Sequence, residues 1–208
     1  MTRKLIIFDF DGTLADSMLW FLGVLNDTAR AYGFRTVGAT EVAQLRDQGN
    51  REIVRYLGVP AWKMPFIAAH MRKQAARAAS RLKLFKEVPA LLWELKARGV
   101  TVAVVSSNSE AVVRRVLGPE LAGLIDHYAC SASIFGKAAK FRAVMRRAGA
   151  QRSQTLCVGD EVRDIEAARK AGLPAAAVAW GYATRDILQA QKPELFFERP
   201  TDILAAAA

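Results

Sequence analysis

The sequence predicts an α/β protein: a parallel sheet with helices on both faces, interrupted early by an inserted all-helical segment. Three observations carry this. Apolar runs of strand length occur at residues 4–10, 100–106, 155–159 and 175–180, with helical patterns between them, as crossover connections between parallel strands require. The runs are nearly continuous in Val, Ile, Leu, Ala and Phe rather than alternating, which suits strands covered on both faces. Residues 18–86 contain no convincing strand and read as amphipathic helices.

The first run, Leu5-Ile6-Ile7-Phe8, ends in Asp9, Asp11, Gly12 and Thr13. The insertion follows at once. Met18 to Leu22, Val24-Leu25, then Ile53, Val54, Tyr56 and Leu57, then Trp62 to Leu84 supply its helical patterns, punctuated by Gly33, Gly38, Gly58 and Pro60. The expected division is a core of residues 1–16 and 87–208 and a helical segment of residues 17–86. The second run, Val102 to Val105, ends in Ser106-Ser107-Asn108 ahead of a helix starting near Glu110. Phe135-Gly136-Lys137 opens another helix. The third run, Thr155 to Val158, ends in Gly159-Asp160, and the next helix closes on Gly172, a residue suited to a left-handed cap. Trp180-Gly181-Tyr182 follows the last run, and Ala205–Ala208 reads as a frayed helix end.

At 208 residues and 52% apolar content, the chain can form one domain with a small accessory unit. No stretch reaches the roughly 18 consecutive apolar residues of a membrane span. Arg3 and Lys4 precede only a brief apolar run, broken by Asp9, so no signal peptide is expected and the expected compartment is the cytoplasm. Cys130 and Cys157 make no disulfide framework, and His70 and His127 without a CxxC argue against zinc. The net charge of +10 suits an anionic partner, a phosphorylated metabolite or a nucleic acid. The basic residues are spread rather than blocked, so nucleic acid is not the expected partner. Lys73, Arg77 and Arg81, four apart, with Lys83 and Lys86 following, read as a solvated basic face or, as the alternative, one that binds nucleic acid or lines an anion site.

The carboxylates point to chemistry. Asp9 and Asp11, two apart at a strand end, project the same way. They stand where an open parallel sheet binds ligands, and charge there needs a metal or a cation. DxDG alone also fits an ordinary strand-to-turn transition. The run FDFDGTL behind three aliphatic residues resembles the first motif of the haloacid dehalogenase superfamily of phosphohydrolases. The resemblance continues through VAVVSSN, the lysines of FGKAAKF and the GDxxxD form of Gly159 to Asp164, and covers nearly the whole chain. It implies a Rossmann-like core with a helical cap, as in phosphoglycolate-phosphatase-like members.

On that resemblance Asp9 is the nucleophile and Asp11 the general acid/base, and the carboxylate pair suits an acyl-phosphate route. Ser106 would hydrogen-bond the transferring phosphoryl group, with Ser107 and Asn108 as further candidates. The same residues also read as an N-cap for the following helix. Gly12, Thr13 and the backbone amides after Asp9 would complete the phosphate cradle. Lys137 is preferred over Lys140 as the lysine that neutralises charge, because it follows Gly136 at a helix start. Asp160 would bind a metal, and Asp164 would hold the metal shell or the lysine. Oxygen-only ligands and no histidine cluster indicate Mg²⁺, and the resemblance implies that Asp9, the carbonyl of Asp11 and Asp160 hold it.

The expected activity is a Mg²⁺-dependent phosphatase acting on a small phosphorylated metabolite through an aspartyl-phosphate. Asp11 argues against the dehalogenase branch, which lacks an aspartate there. Two alternatives stand: a phosphomutase acting on a sugar phosphate, and a non-catalytic module binding anions or nucleic acid. Within the insertion, Arg46-Asp47-Gln48-Gly49-Asn50-Arg51 reads either as a substrate-facing loop or as a connection N-capped by Asn50. An arginine-lined cap suits acidic esters, sugar phosphates and nucleotides alike.

Overall fold

The computed structural model describes residues 3–131 and 136–207. Strand β1 (Leu5–Phe8) is followed by the two-residue strand β2 (Ala15–Asp16). Helices α1 (Met18–Tyr32), α2 (Ala39–Arg46), α3 (Asn50–Tyr56) and α4 (Met64–Ala78) come next. Strand β3 (Lys83–Leu84), helix α5 (Val88–Ala97) and strand β4 (Thr101–Val104) lead to α6 (Glu110–Gly123) and β5 (His127–Tyr128). The chain ends with α7 (Lys137–Arg147), β6 (Thr155–Gly159), α8 (Val162–Ala171), β7 (Ala175–Val178), α9 (Arg185–Ala190) and β8 (Leu195–Phe197).

Among the described residues the main sheet has the order β5-β4-β1-β6-β7-β8, and every pairing in it is parallel. Side chains of β1 alternate between the two faces. Ile6 and Phe8 join Leu91, Leu92 and Leu95 of α5, while Leu5 and Ile7 join Phe141 of α7 and Ile165 of α8. Both faces are therefore core, which is why the strands carry no polar alternation. Since β1 is flanked by β4 on one side and β6 on the other, the strand order reverses at β1. Its carboxyl end is the crevice where such sheets take ligands.

The strands are shorter than the apolar runs suggest: Phe10, Val100 and Val105 are buried but lie outside the paired strands, with the Val105 N–H still donating to the Phe8 carbonyl at 2.9 Å. The edge strands β5 and β8 were not expected; two or three residues carry too little periodicity to stand out. The segment expected to hold no strand contains β3, which pairs antiparallel with β2 through Ala15–Leu84 and Asp16–Lys83. Phe85 adds its N–H to the Leu14 carbonyl. The two chain crossings into and out of the helical segment are thus stitched together.

That segment has a small core of its own, Val37, Leu45 and Leu57, with Leu25, Phe34 and Ile53 packed on it. It also leans on the rest of the molecule where Ala75 and Ala79 meet Val112 of α6. Lys73, Arg77 and Arg81 are exposed. Asn50 is the first residue of α3 and not its cap. Gly49 caps the helix, and its N–H donates to Glu52. Likewise Ser109, not Ser107 or Asn108, caps α6, accepting from the Val112 N–H. The C-terminal tail is not a frayed end: residues 200–206 form 3-10 turns, and Ala206 accepts from the Arg3 N–H at 2.9 Å. Phe135 and Ala208 lie outside the described residues. No helix among the described residues is long and apolar enough to cross a membrane.

Candidate active site

Four elements deliver carboxylates or cations to the carboxyl end of β1. Asp9 follows β1 directly, Asp160 follows β6, Asp164 lies in the first turn of α8 and Lys137 opens α7. One oxygen each from Asp9, Asp160 and Asp164 fall within 4.8 Å of one another. Lys137 Nζ bridges two of them, 2.9 Å from Asp9 Oδ1 and 2.5 Å from Asp164 Oδ1. Lys140 turns away and donates to the Ala129 and Cys130 carbonyls. Asp11 Oδ2 accepts from Asn108 Nδ2 at 2.7 Å, and Ser106 Oγ accepts from the Asn108 N–H at 3.1 Å, leaving the hydroxyl hydrogen free to donate. Ser106 and Asn108 are buried, and Ser107 is partly exposed beside them.

Gly12 and Thr13 stand against Asp160 and the turn. Thr13 Oγ1 donates to Asp160 Oδ1 at 2.7 Å, and the Gly12 N–H donates to the Ala15 carbonyl at 2.9 Å. A Cβ at Gly12 would stand 2.1 Å from Asp160 Oδ2, at a φ of 75° that disfavours other residues. Gly181 meets Asp160 from the other side, where a Cβ would stand 2.1 Å from the Asp160 Cβ. Asp160 is thus wedged between two glycines, with the Tyr182 N–H donating to its Oδ2 at 2.8 Å.

The electrostatics follow from burial. Burial raises Asp9 to about 7 against the pull of Lys137. Burial also raises Asp11, and it raises Asp160 further, helped by the like charges of Glu161, Asp164 and Asp9. Burial alone would lower Lys137, but Asp164 and Asp9 overcome it and hold the ammonium charged. Asp9 Oδ2 and Asp11 Oδ1 are buried with no hydrogen-bond partner among the described residues. Buried, oxygen-only groups around Asp9 and Asp160, too few of them paired, make an environment that a hard divalent cation fits. Asp164 is less available, because its oxygens accept from Lys137 and from the Glu161 N–H at 3.1 Å.

The helical segment closes over this edge through the α2–α3 loop. Arg46 donates from Nε to the Tyr182 carbonyl at 2.8 Å and from Nη2 to the Gly181 carbonyl at 3.2 Å. The Arg46 carbonyl accepts from the Thr184 N–H at 3.1 Å, Thr184 Oγ1 donates to Asp47, and Asn50 Nδ2 donates to Glu161 Oε1 at 2.8 Å. A recess of about 240 Å³ lies beside the loop, lined in part by Asp16, Met18, Arg46, Phe85, Trp180 and Tyr182. A larger, more open hollow of about 480 Å³, among Arg152, Arg169 and Lys192, adjoins the opposite ends of β6 and β7 and reaches none of the carboxylates.

Reading the sequence missed Glu161, Arg163 and the anchoring role of Tyr182. Glu161 and Arg163 sit at the unspecified positions of GDxxxD, and their adjacency to Asp160 and Asp164 was the available signal.

Residues 6–178 match the family model described as haloacid dehalogenase-like hydrolase. The chain is 35% identical over 202 residues to the phosphoglycolate phosphatase of Synechococcus elongatus, covering 97% of this chain and 95% of that one. It is 26% identical over 205 residues to the phosphoglycolate phosphatase of Aquifex aeolicus, with the same coverage. Its fold is similar to that of CbbY from Rhodobacter sphaeroides, solved in complex with phosphate, at a TM-score of 0.75, 19% identity and 99% coverage of both chains.

Proposed function

The chain belongs to the haloacid dehalogenase-like hydrolases and is a phosphatase, and from that premise we propose that it hydrolyses a small carboxylated phosphate monoester, 2-phosphoglycolate, through an aspartyl-phosphate on Asp9. The substrate is suggested by the relatives named phosphoglycolate phosphatase. The observation that carries the mechanism is the pairing of Asp9: Oδ1 rests on Lys137 at 2.9 Å while Oδ2 is buried and unpartnered. One oxygen is oriented and the other is available as a nucleophile.

Asp9 Oδ2 attacks phosphorus and the bond from phosphorus to the ester oxygen breaks. Asp11, raised by burial, gives its proton to the departing oxygen. Water then attacks the acyl-phosphate with Asp11 as base, releasing phosphate and restoring Asp9. Ser106 donates to a phosphoryl oxygen, and Asn108 holds Asp11 in place at 2.7 Å. Lys137, fixed by Asp164, supplies positive charge where the phosphoryl group arrives. Asp9, Asp160 and the carbonyl of Asp11 would hold Mg²⁺, which supplies charge neutralisation that keeps Asp9 ionised beside a phosphate dianion. Residues 17–86 act as a cap: the Arg46–Asn50 loop closes the edge and excludes water.

Phosphate release from a panel of esters, with and without Mg²⁺, tests this reading. Mg²⁺-dependent release with 2-phosphoglycolate among the preferred esters is the expected result. Transfer of the phosphoryl group within a sugar phosphate, without release, would favour a mutase instead.

A further inference from the structure

Arg163 lies inside the carboxylate cluster and has no part in the chemistry derived above. It precedes Asp164 in the first turn of α8, and its guanidinium pairs through Nη2 with Glu161. Its Nε is buried with no acceptor among the described residues. Its side chain as a whole is 27% exposed, so it is not sealed in the core. Glu161 is itself held by the helical segment, accepting from Asn50 Nδ2 at 2.8 Å. A relay therefore runs from Asn50 to Glu161 to Arg163, and it links the helical segment to this cation.

The charge balance calls for such a cation. Five carboxylates (Asp9, Asp11, Asp160, Glu161 and Asp164) surround two cations, Lys137 and Arg163. Lys137 is spent on Asp9 and Asp164, on the phosphoryl side. An acidic group on the leaving half of the substrate would meet net negative charge unless it found a donor of its own. Arg163 has donors to spare, since a guanidinium carries five N–H groups in a planar fork that matches a carboxylate. Of the covering loop's two arginines, Arg46 has its Nε and Nη2 committed to backbone carbonyls, and Arg51 is exposed.

We propose that Arg163 is the specificity-determining residue for the leaving group, binding the substrate's carboxylate, and that Asn50 and Glu161 position it when the helical segment closes. This rests on the phosphatase reading and deepens it by assigning the acid-recognising residue. The closing bond from Asn50 to Glu161 would then tie closure to recognition: the segment must dock for Arg163 to be aimed.

The test compares 2-phosphoglycolate with an ester of uncharged leaving group, ethyl phosphate, in wild type, Arg163→Gln and Arg163→Lys, with melting curves to establish that each variant folds. The readout is the ratio of kcat/KM for the two esters. A charge-assisted hydrogen bond predicts that the ratio falls about ten- to hundredfold in Arg163→Gln, mainly through KM for 2-phosphoglycolate, with partial recovery in Arg163→Lys. Asn50→Ala, which leaves Arg163 in place, should lower the same ratio in the same direction by less. An unchanged ratio, with both esters slowed equally or neither slowed, overturns the assignment while leaving the phosphatase reading intact. A wild type that hydrolyses ethyl phosphate as well as 2-phosphoglycolate overturns it too. Release from neither ester would overturn 2-phosphoglycolate as the substrate, and the assignment with it.

Discussion

Lys137 Nζ stands 2.5 Å from Asp164 Oδ1, and that contact orders the site. Asp164 spends both oxygens on holding other groups, Lys137 and the Glu161 N–H. It thereby fixes the ammonium 2.9 Å from Asp9 and the turn that carries Asp160.

The lysine assignment separates two neighbours on one helix. Lys137→Ala should lower kcat by about 10²–10³-fold, the usual cost of removing one group that stabilises developing charge. Lys140→Ala should retain turnover, because its Nζ faces the Ala129 and Cys130 carbonyls. Steady-state phosphate release on both variants checks this, and loss in the Lys140 variant alone would reverse the assignment.

Crowding around Asp160 predicts an intolerance to a single methyl group. Gly181→Ala would put a Cβ 2.1 Å from the Asp160 Cβ. Overpacking of this kind costs about 1–3 kcal/mol, and the displaced Asp160 should also weaken Mg²⁺ binding. Urea unfolding and Mg²⁺ titration by calorimetry measure the two effects separately.

The buried carboxylates give the metal-free protein a pH dependence of definite sign. Asp9 holds its proton up to about 7 when folded but only to 3.8 in its unperturbed state, and burial shifts Asp160 the same way. The folded state binds the extra protons, so their contribution is present at low pH and is lost as pH rises through about 4 to 7. Without metal the melting temperature should therefore fall as pH rises over that window. Added Mg²⁺ should raise it more at about pH 8 than at about pH 5. A metal-free melting temperature that climbs across this window would contradict the burial of Asp9.

Closure depends on Arg46. Arg46→Ala removes two hydrogen bonds to the 181–182 backbone, each worth about 1 kcal/mol. The expected result is a rise in KM of about tenfold with a smaller change in kcat, together with faster hydrogen exchange at the Thr184 N–H. Unaltered KM and exchange would mean that the loop does not hold the segment down.

The sequence showed what long apolar runs can show. Four sheet strands and the carboxylates at their ends stand out because burial on both faces leaves runs such as Leu5–Phe8 without polar breaks. The shorter strands β2, β3, β5 and β8 did not stand out, since two or three residues hold no period and their pairing is decided by tertiary contact. Thr13 illustrates a subtler gap. Its hydroxyl donates to Asp160, 147 residues away, a contact that no local pattern announces. The Asn50–Glu161 bond likewise spans 111 residues between two separate stretches of chain, with nothing local to announce it.

The most direct test of the central claim is Mg²⁺-dependent phosphate release from 2-phosphoglycolate by wild type and Asp9→Asn, side by side, with matched melting curves. The account predicts release by the wild type and none above background by a folded Asp9→Asn. Sustained turnover in the variant would contradict Asp9 as the nucleophile.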